Sequence, residues 1–181
     1  MKTRYQLIIN VRTASPDLKE FLYQTGEFSC EEVSEKIYNF IRTNAAKLGF
    51  NFSLDESYFY ELVKNAYDAY AERGLQTGQN LELKVVIKAQ NQTLQIKIKD
   101  NGTGFKDLEK GRFFKLKDIS YQQKNKLQFL GGGQLGLKFF SKNVEKNKGV
   151  ILFKNREKEG AAIYLTFNKD EDTPTQYFAV I

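Results

Sequence analysis

With 181 residues, 41% hydrophobic and 28% charged, the chain has the size and composition of one soluble globular domain with a sizeable core. Its net charge is +6, it has no histidine, and Cys30 is its single cysteine. These facts exclude histidine general-base chemistry, a phosphoacceptor histidine within the chain, an internal disulfide and any cysteine or histidine metal cluster. No apolar run reaches the roughly 20 residues that span a bilayer. The N-terminus has a short apolar patch without a small-residue cleavage site, so a cytoplasmic protein with no membrane partner is expected.

Tyr5–Val11 alternates loosely and reads as a first strand, broken by Ser15-Pro16-Asp17. A strand and a short helix are expected in residues 1–28. Ser29-Cys30-Glu31-Glu32 is a capping box. It predicts a helix with Val33, Ile37, Phe40, Ile41 and Leu48 at helical spacing, ended by Gly49. Ser53-Leu54-Asp55-Glu56 is a second capping box, opening a helix expected to reach Gly74, after which Gly78-Gln79-Asn80 turns the chain. Leu81–Ala89 and Leu94–Lys99 read as strands joined by Gln90-Asn91-Gln92 in an antiparallel hairpin. Val85 and Ile87 share one face of the first strand and Leu94, Ile96 and Ile98 one face of the second, with lysines opposite, so the hairpin has one face wet. Residues from Gly102 to about Gly133 are irregular, rich in glycine and lysine. Leu135–Val144 looks helical, and Val150–Phe153 with Ile163–Phe167 forms a last hairpin around Arg156–Gly160. Helices followed by paired strands around a long loop give an α+β two-layer sandwich in one domain.

Three constellations carry chemistry. Glu61, Asn65 and Asp68 stand at i, i+4 and i+7, so a helix brings their oxygens to one face, with Leu62, Ala66 and Ala69 on a neighbouring face toward the sheet. The bland reading is a solvated polar stripe. The functional reading is a set of oxygen donors for a metal-bound phosphate, since Mg²⁺ usually takes one or two protein ligands and fills its shell with water and phosphate. Asp100-Asn-Gly102-Thr-Gly104 closes a strand with glycines that bend the chain sharply, which is also ordinary turn chemistry. Gly131-Gly132-Gly133-Gln134-Leu135-Gly136-Leu137 leads into a helix, where free N–H groups and the helix dipole favour phosphate; a flexible hinge is the alternative. This last segment also satisfies G-x-G-x-x-G. A dinucleotide-binding unit needs a strong strand before it and further crossovers after it, and only about 45 residues follow Gly136. A Walker loop fails because Leu137-Lys138 follows the last glycine.

Together the three constellations resemble the nucleotide-binding motifs of the gyrase, heat-shock chaperone, histidine kinase and mismatch-repair (GHKL) ATPases. Glu61-x-x-x-Asn65-x-x-Asp68-Ala69 looks like the asparagine box, Asp100-x-Gly102-x-Gly104 like the first glycine box. Gly133–Leu137, followed by Phe139-Phe140-Ser141, is similar to the second glycine box in its heat-shock chaperone form. The resemblance covers about residues 30–168 and leaves 1–28 as an extension of unassigned role. It implies the histidine kinase-like ATPase fold: a mixed, mostly antiparallel sheet, helices on one face and a long ATP lid.

The resemblance also implies roles. ATP or ADP is the ligand and Mg²⁺ the cofactor. Asn65 supplies a carboxamide oxygen to Mg²⁺, and Asp68 belongs to the same nucleotide-binding box. Asp100 accepts a hydrogen bond from the adenine amine, Gly104 lets the chain turn under the base, and Gly102 belongs to the same nucleotide-binding glycine box. Gly132, Gly133, Gln134, Leu135, Gly136 and Leu137 hold the phosphates through their backbone. Phe105–Gly132 is the lid; its stretch to Gly131 has seven basic residues against three acidic ones, a charge balance suited to closing over a polyanion. Glu61 is the general base or orients the attacking water. ATP hydrolysis, γ-phosphoryl transfer to a partner's serine or histidine as in anti-sigma-factor kinases and split histidine kinases, and an ATP-gated interaction switch are all consistent with this assembly. A homodimer through the N-terminal extension is a further expectation. Nucleic-acid binding rests only on the basic lid, and no base-stacking aromatic pattern accompanies it.

Overall fold

The computed structural model describes residues 3–12, 26–73, 80–105, 135–156 and 160–169. Ser15-Pro16-Asp17, Gly74, Gly78, Gln79 and segment 106–134, which includes most of the expected lid and Gly132, Gly133 and Gln134, lie outside these residues.

Local chemistry sets the first helix, α1 (Cys30–Lys47). Ser29 stands at its N-cap in an extended conformation, and its hydroxyl accepts the Glu32 N–H at 3.1 Å. Replacing such a cap by alanine typically costs about 1 kcal/mol. At the other end Gly49 adopts φ 74°. The Gly49 N–H then reaches the Ala46 carbonyl at 2.9 Å and the Phe50 N–H the Ala45 carbonyl at 3.0 Å, a Schellman arrangement that satisfies the helix's last acceptors.

The second helix departs from expectation. α2 spans Ser57–Glu72 and does not start after Ser53. The Ser53 N–H donates to Asn147 Oδ1 at 2.8 Å while its carbonyl accepts from Asn147 Nδ2 at 3.0 Å. A tertiary bond pair thus occupies the residue that the capping box would have used. Asp55 takes over, its carboxylate accepting from the Ser57 N–H at 2.9 Å and the Ser57 hydroxyl at 2.7 Å.

Five strands form one sheet in the order β1-β2-β3-β5-β4: β1 (Thr3–Val11), β2 (Leu81–Gln90), β3 (Thr93–Lys99), β4 (Gly149–Asn155) and β5 (Ala161–Asn168). Every pairing among the described strands is antiparallel, so the expected mixed sheet contains no parallel pair here. Between β2 and β3, Gln90 pairs with Thr93, leaving Asn91 and Gln92 at φ 48° and 65° as a two-residue loop. Two successive positive φ values are the type I′ geometry that matches strand twist.

Register aligns the core across all five strands. Tyr5, Ile87, Ile96, Leu165 and Ile151 form one row, and Leu7, Val85, Ile98, Ile163 and Phe153 the next. Helices α1, α2 and α3 (Leu135–Lys146) pack on this face, where Phe59, Tyr67 and Phe140 are wholly buried. The Phe59 and Phe140 rings meet edge-on at 5.7 Å, joining α2 to α3. The result is an α+β two-layer sandwich. The N-terminal extension is part of it: β1 pairs along its whole length with β2. The Tyr67 hydroxyl donates to the carbonyl of Phe28, in a 3-10 turn over Gly26–Phe28. Among the described residues, no helix is long and apolar enough to cross a membrane.

Candidate nucleotide site

Helix α2 carries Glu61, Asn65 and Asp68 on one partly exposed face, as their spacing requires. Glu61 pairs with Lys64, one turn further on, at 3.3 Å, and the Lys64 ammonium lies 5.4 Å from the centre of the Tyr60 ring. Leu62 and Ala66 are buried toward the sheet, but Ala69 packs elsewhere, against the loop that follows β3.

That loop is built on Asp100. Its Oδ1 accepts the Gly102 N–H at 2.8 Å and the Ala161 N–H at 3.2 Å. The residue is half-buried, but its carboxyl group is enclosed, and desolvation pushes its pKa above the ordinary carboxylate value. The two N–H bonds and the nearby Arg156 charge oppose that shift without cancelling it. Gly102 then presses on α2: a Cβ there would stand 2.7 Å from the Ala69 Cβ and 3.0 Å from the Tyr70 backbone nitrogen. The Thr103 N–H donates to the Ala69 carbonyl at 3.2 Å. The small residues at 69 and 102 therefore mate the first two motifs directly. Gly104 adopts φ 87°, a left-handed conformation that favours glycine.

The third motif reaches the same face. A Cβ on Gly136 would come within 3.0 Å of the Glu61 carboxylate and 3.2 Å of its Cβ, so the start of α3 rests on Glu61. Leu137 is buried behind it, and the Ser141 hydroxyl donates back to the Leu137 carbonyl at 2.8 Å. Of the expected phosphate loop, only Leu135, Gly136 and Leu137 fall among the described residues.

Beneath Asp100 an apolar recess of about 20 Å³ runs between the helices and the sheet, lined by Leu62, Ala66, Leu83, Ile98 and Ile163 among others. That is room for about one water molecule, so a purine must widen it to enter. Two larger concavities, of about 420 and 600 Å³, lie away from the three motifs.

Sequence reading missed the residues that hold this loop from the far side. Asn155, at the end of β4, clamps Phe105: its Oδ1 accepts the Phe105 N–H at 2.6 Å and its Nδ2 donates to the Phe105 carbonyl at 3.0 Å. Arg156 donates to the Asp100 carbonyl at 2.8 Å. Gly160 passes so close that a Cβ would overlap the Asp100 carbonyl oxygen at 2.0 Å. No local pattern marks these residues, because each acts across fifty or more positions of chain. Gly160 alone gave a signal, as a turn glycine.

Residues 56–171, more than half of the chain, match the family model described as histidine kinase-, DNA gyrase B- and HSP90-like ATPase. The chain belongs to this family. As an ATPase-family domain it binds ATP, and the expected GHKL membership stands. Solved structures similar to it include two nucleotide-free forms of the catalytic domain of histidine kinase ThkA. One is 18% identical with a TM-score of 0.43, over 76% of this chain and 91% of that one. The other, an isopropanol form, is 17% identical with a TM-score of 0.40, over 76% and 90%. Likeness at that level adds nothing to the family assignment. No curated protein matches the chain.

Proposed function

We propose that this chain is a single Mg²⁺-dependent ATP-binding domain that hydrolyses ATP or passes its γ-phosphoryl group to a partner protein. The observation that carries the reading is the packing of Gly136 on Glu61. It sets the N-terminal end of the described α3, the end at which a helix offers N–H groups to phosphate oxygens, beside a carboxylate that can accept a proton. In this reading Asp100 accepts from the adenine amine, with Gly102 and Gly104 turning the chain under the base. The backbone of Gly132, Gly133, Gln134, Leu135, Gly136 and Leu137 holds the phosphates. Glu61 takes a proton from water or from a partner's hydroxyl, or orients that nucleophile.

Asn65 would hold Mg²⁺, with Asp68 beside it on the same helix face. Among the described residues no group of three His, Cys, Asp or Glu side chains could hold a metal. The donor set therefore suits an ion that arrives already ligated by phosphate and water. When bound, Mg²⁺ supplies charge neutralisation to the phosphates.

The test is Glu61→Gln, which keeps the side chain that Gly136 packs on and removes only the base. Turnover should fall about 10²–10⁴-fold, the range for a general base, with ATP affinity nearly unchanged because the packing beneath the phosphates is kept. Equal and negligible phosphate release from wild type and variant, both binding ATP, with and without candidate partners, would overturn the enzyme and leave an ATP-gated switch.

A further inference from the structure

The sheet face opposite the helices has a composition that folding alone does not explain. It holds a concavity of about 600 Å³ whose lining, among the described residues, has five cations and no carboxylate: Arg4, Lys84, Lys88, Lys97 and Lys99. The chain as a whole is nearly balanced, with 28 basic and 22 acidic residues, so this segregation of sign is local. Cross-strand register sharpens it. Arg4 on β1 stands directly opposite Lys88 on β2, and Lys84 on β2 directly opposite Lys99 on β3. Like charges in such positions are destabilising. Burial foremost, and then the neighbouring cations, lower the Lys99 pKa from its ordinary value. Apolar groups sit between the charges. Val86 separates Lys84 from Lys88 along β2, and Lys97 lies with its ammonium 4.4 Å above the Tyr164 ring.

We propose that this open sheet face binds single-stranded nucleic acid. Alternating cation and apolar or aromatic groups suit a ligand that alternates phosphate and base. The broad concave face suits a strand whose bases are free to stack, as on Tyr164, better than the convex backbone of a duplex. An acidic polypeptide fits less well. Its own backbone N–H and C=O groups need partners, and those of β2, β3 and β5 are spent in pairing with neighbours on both sides. The face is separate from the nucleotide motifs except at Lys99, which precedes Asp100.

Fluorescence anisotropy of the full chain with a labelled oligothymidylate of about 15 nucleotides tests the proposal. Binding should weaken steeply between about 50 and 200 mM salt, with a log–log slope up to about −3.5 if all five cations meet phosphates. The double variant Lys84→Gln/Lys88→Gln should lose tenfold or more in affinity, lower the slope by about 1.4, and leave ATP affinity unchanged. Lys84→Arg/Lys88→Arg should retain the strand. Without ligand the glutamine variant should melt about 1–3 °C higher, because the cross-strand repulsion is relieved. Failure to bind the strand overturns the proposal, as does binding indifferent to the glutamine variant, a lowered melting temperature, or stronger binding of polyglutamate, duplex or anionic vesicles.

Discussion

Gly102 and Ala69 meet at a distance that leaves no space for a methyl group: a Cβ on Gly102 would stand 2.7 Å from that of Ala69. The contact welds the loop beneath Asp100 to the helix that carries Glu61, Asn65 and Asp68. Gly102→Ala should therefore destabilise the protein by about 1–3 kcal/mol, the cost of overpacking. Denaturant melts of both single variants and of Gly102→Ala/Ala69→Gly measure it. Removing the opposing methyl should recover part of the loss, with a coupling of at least about 0.5 kcal/mol. Simple additivity would show that the two residues do not share the strain.

If Asp100 reads adenine as proposed, it links nucleotide affinity and stability to pH in opposite directions. Its pKa is raised by desolvation, so between the unfolded value and the raised one the folded protein holds more protons than the unfolded chain. The contribution of this group to stability is therefore present at low pH and lost as pH rises through that window. Only the ionised carboxylate is the charge-assisted acceptor of an adenine amine, so adenosine affinity should weaken as pH falls through the raised pKa. Asp100→Asn should lower affinity by roughly tenfold or more, flatten its pH dependence and melt no earlier than wild type at neutral pH. Calorimetric titration across pH checks the first two and thermal scanning the third. Unchanged affinity for ATP over GTP in the variant would remove Asp100 from adenine recognition.

Asn155 should govern local opening of the chain at Phe105. Its two hydrogen bonds to that residue's backbone are together worth about 1–1.5 kcal/mol at a partly exposed position. Asn155→Ala should accordingly speed hydrogen exchange of the Phe105 amide about tenfold, with only a small change in global melting. Exchange at the wild-type rate would mean that the clamp contributes nothing to holding the loop.

These residues also mark how far the sequence is legible. Ser29 and Gly49 delimit α1 because capping involves groups within a few positions of each other. Gln90-Asn91-Gln92 reads correctly as a turn for the same reason, and alternating Val85, Ile87, Ile96 and Ile98 reveal the core face. The Ser53 box fails because Asn147, far away in sequence, takes the Ser53 backbone for itself. The spacing of Glu61, Asn65 and Asp68 gives their common face. It says nothing of Gly136 resting on that face, of Arg156 and Gly160 against Asp100, or of Asn155 holding Phe105. Those contacts exist only after the sheet has assembled.

The place of β1 has a consequence for the order of assembly. Thr3 pairs with Ala89 and Val11 with Leu81, so β1 finds its partner only after α1, α2 and β2 have all been made. Closing so large a loop costs little more free energy than closing one half its length, since the entropy grows only with the logarithm of length, but pairings of such separation are slow to form. Until then Leu7, Ile9 and Val11 wait without the neighbour that later covers them. One edge of the described sheet is thus made before three helices' worth of its support is complete, and it waits for β2 with its apolar side uncovered.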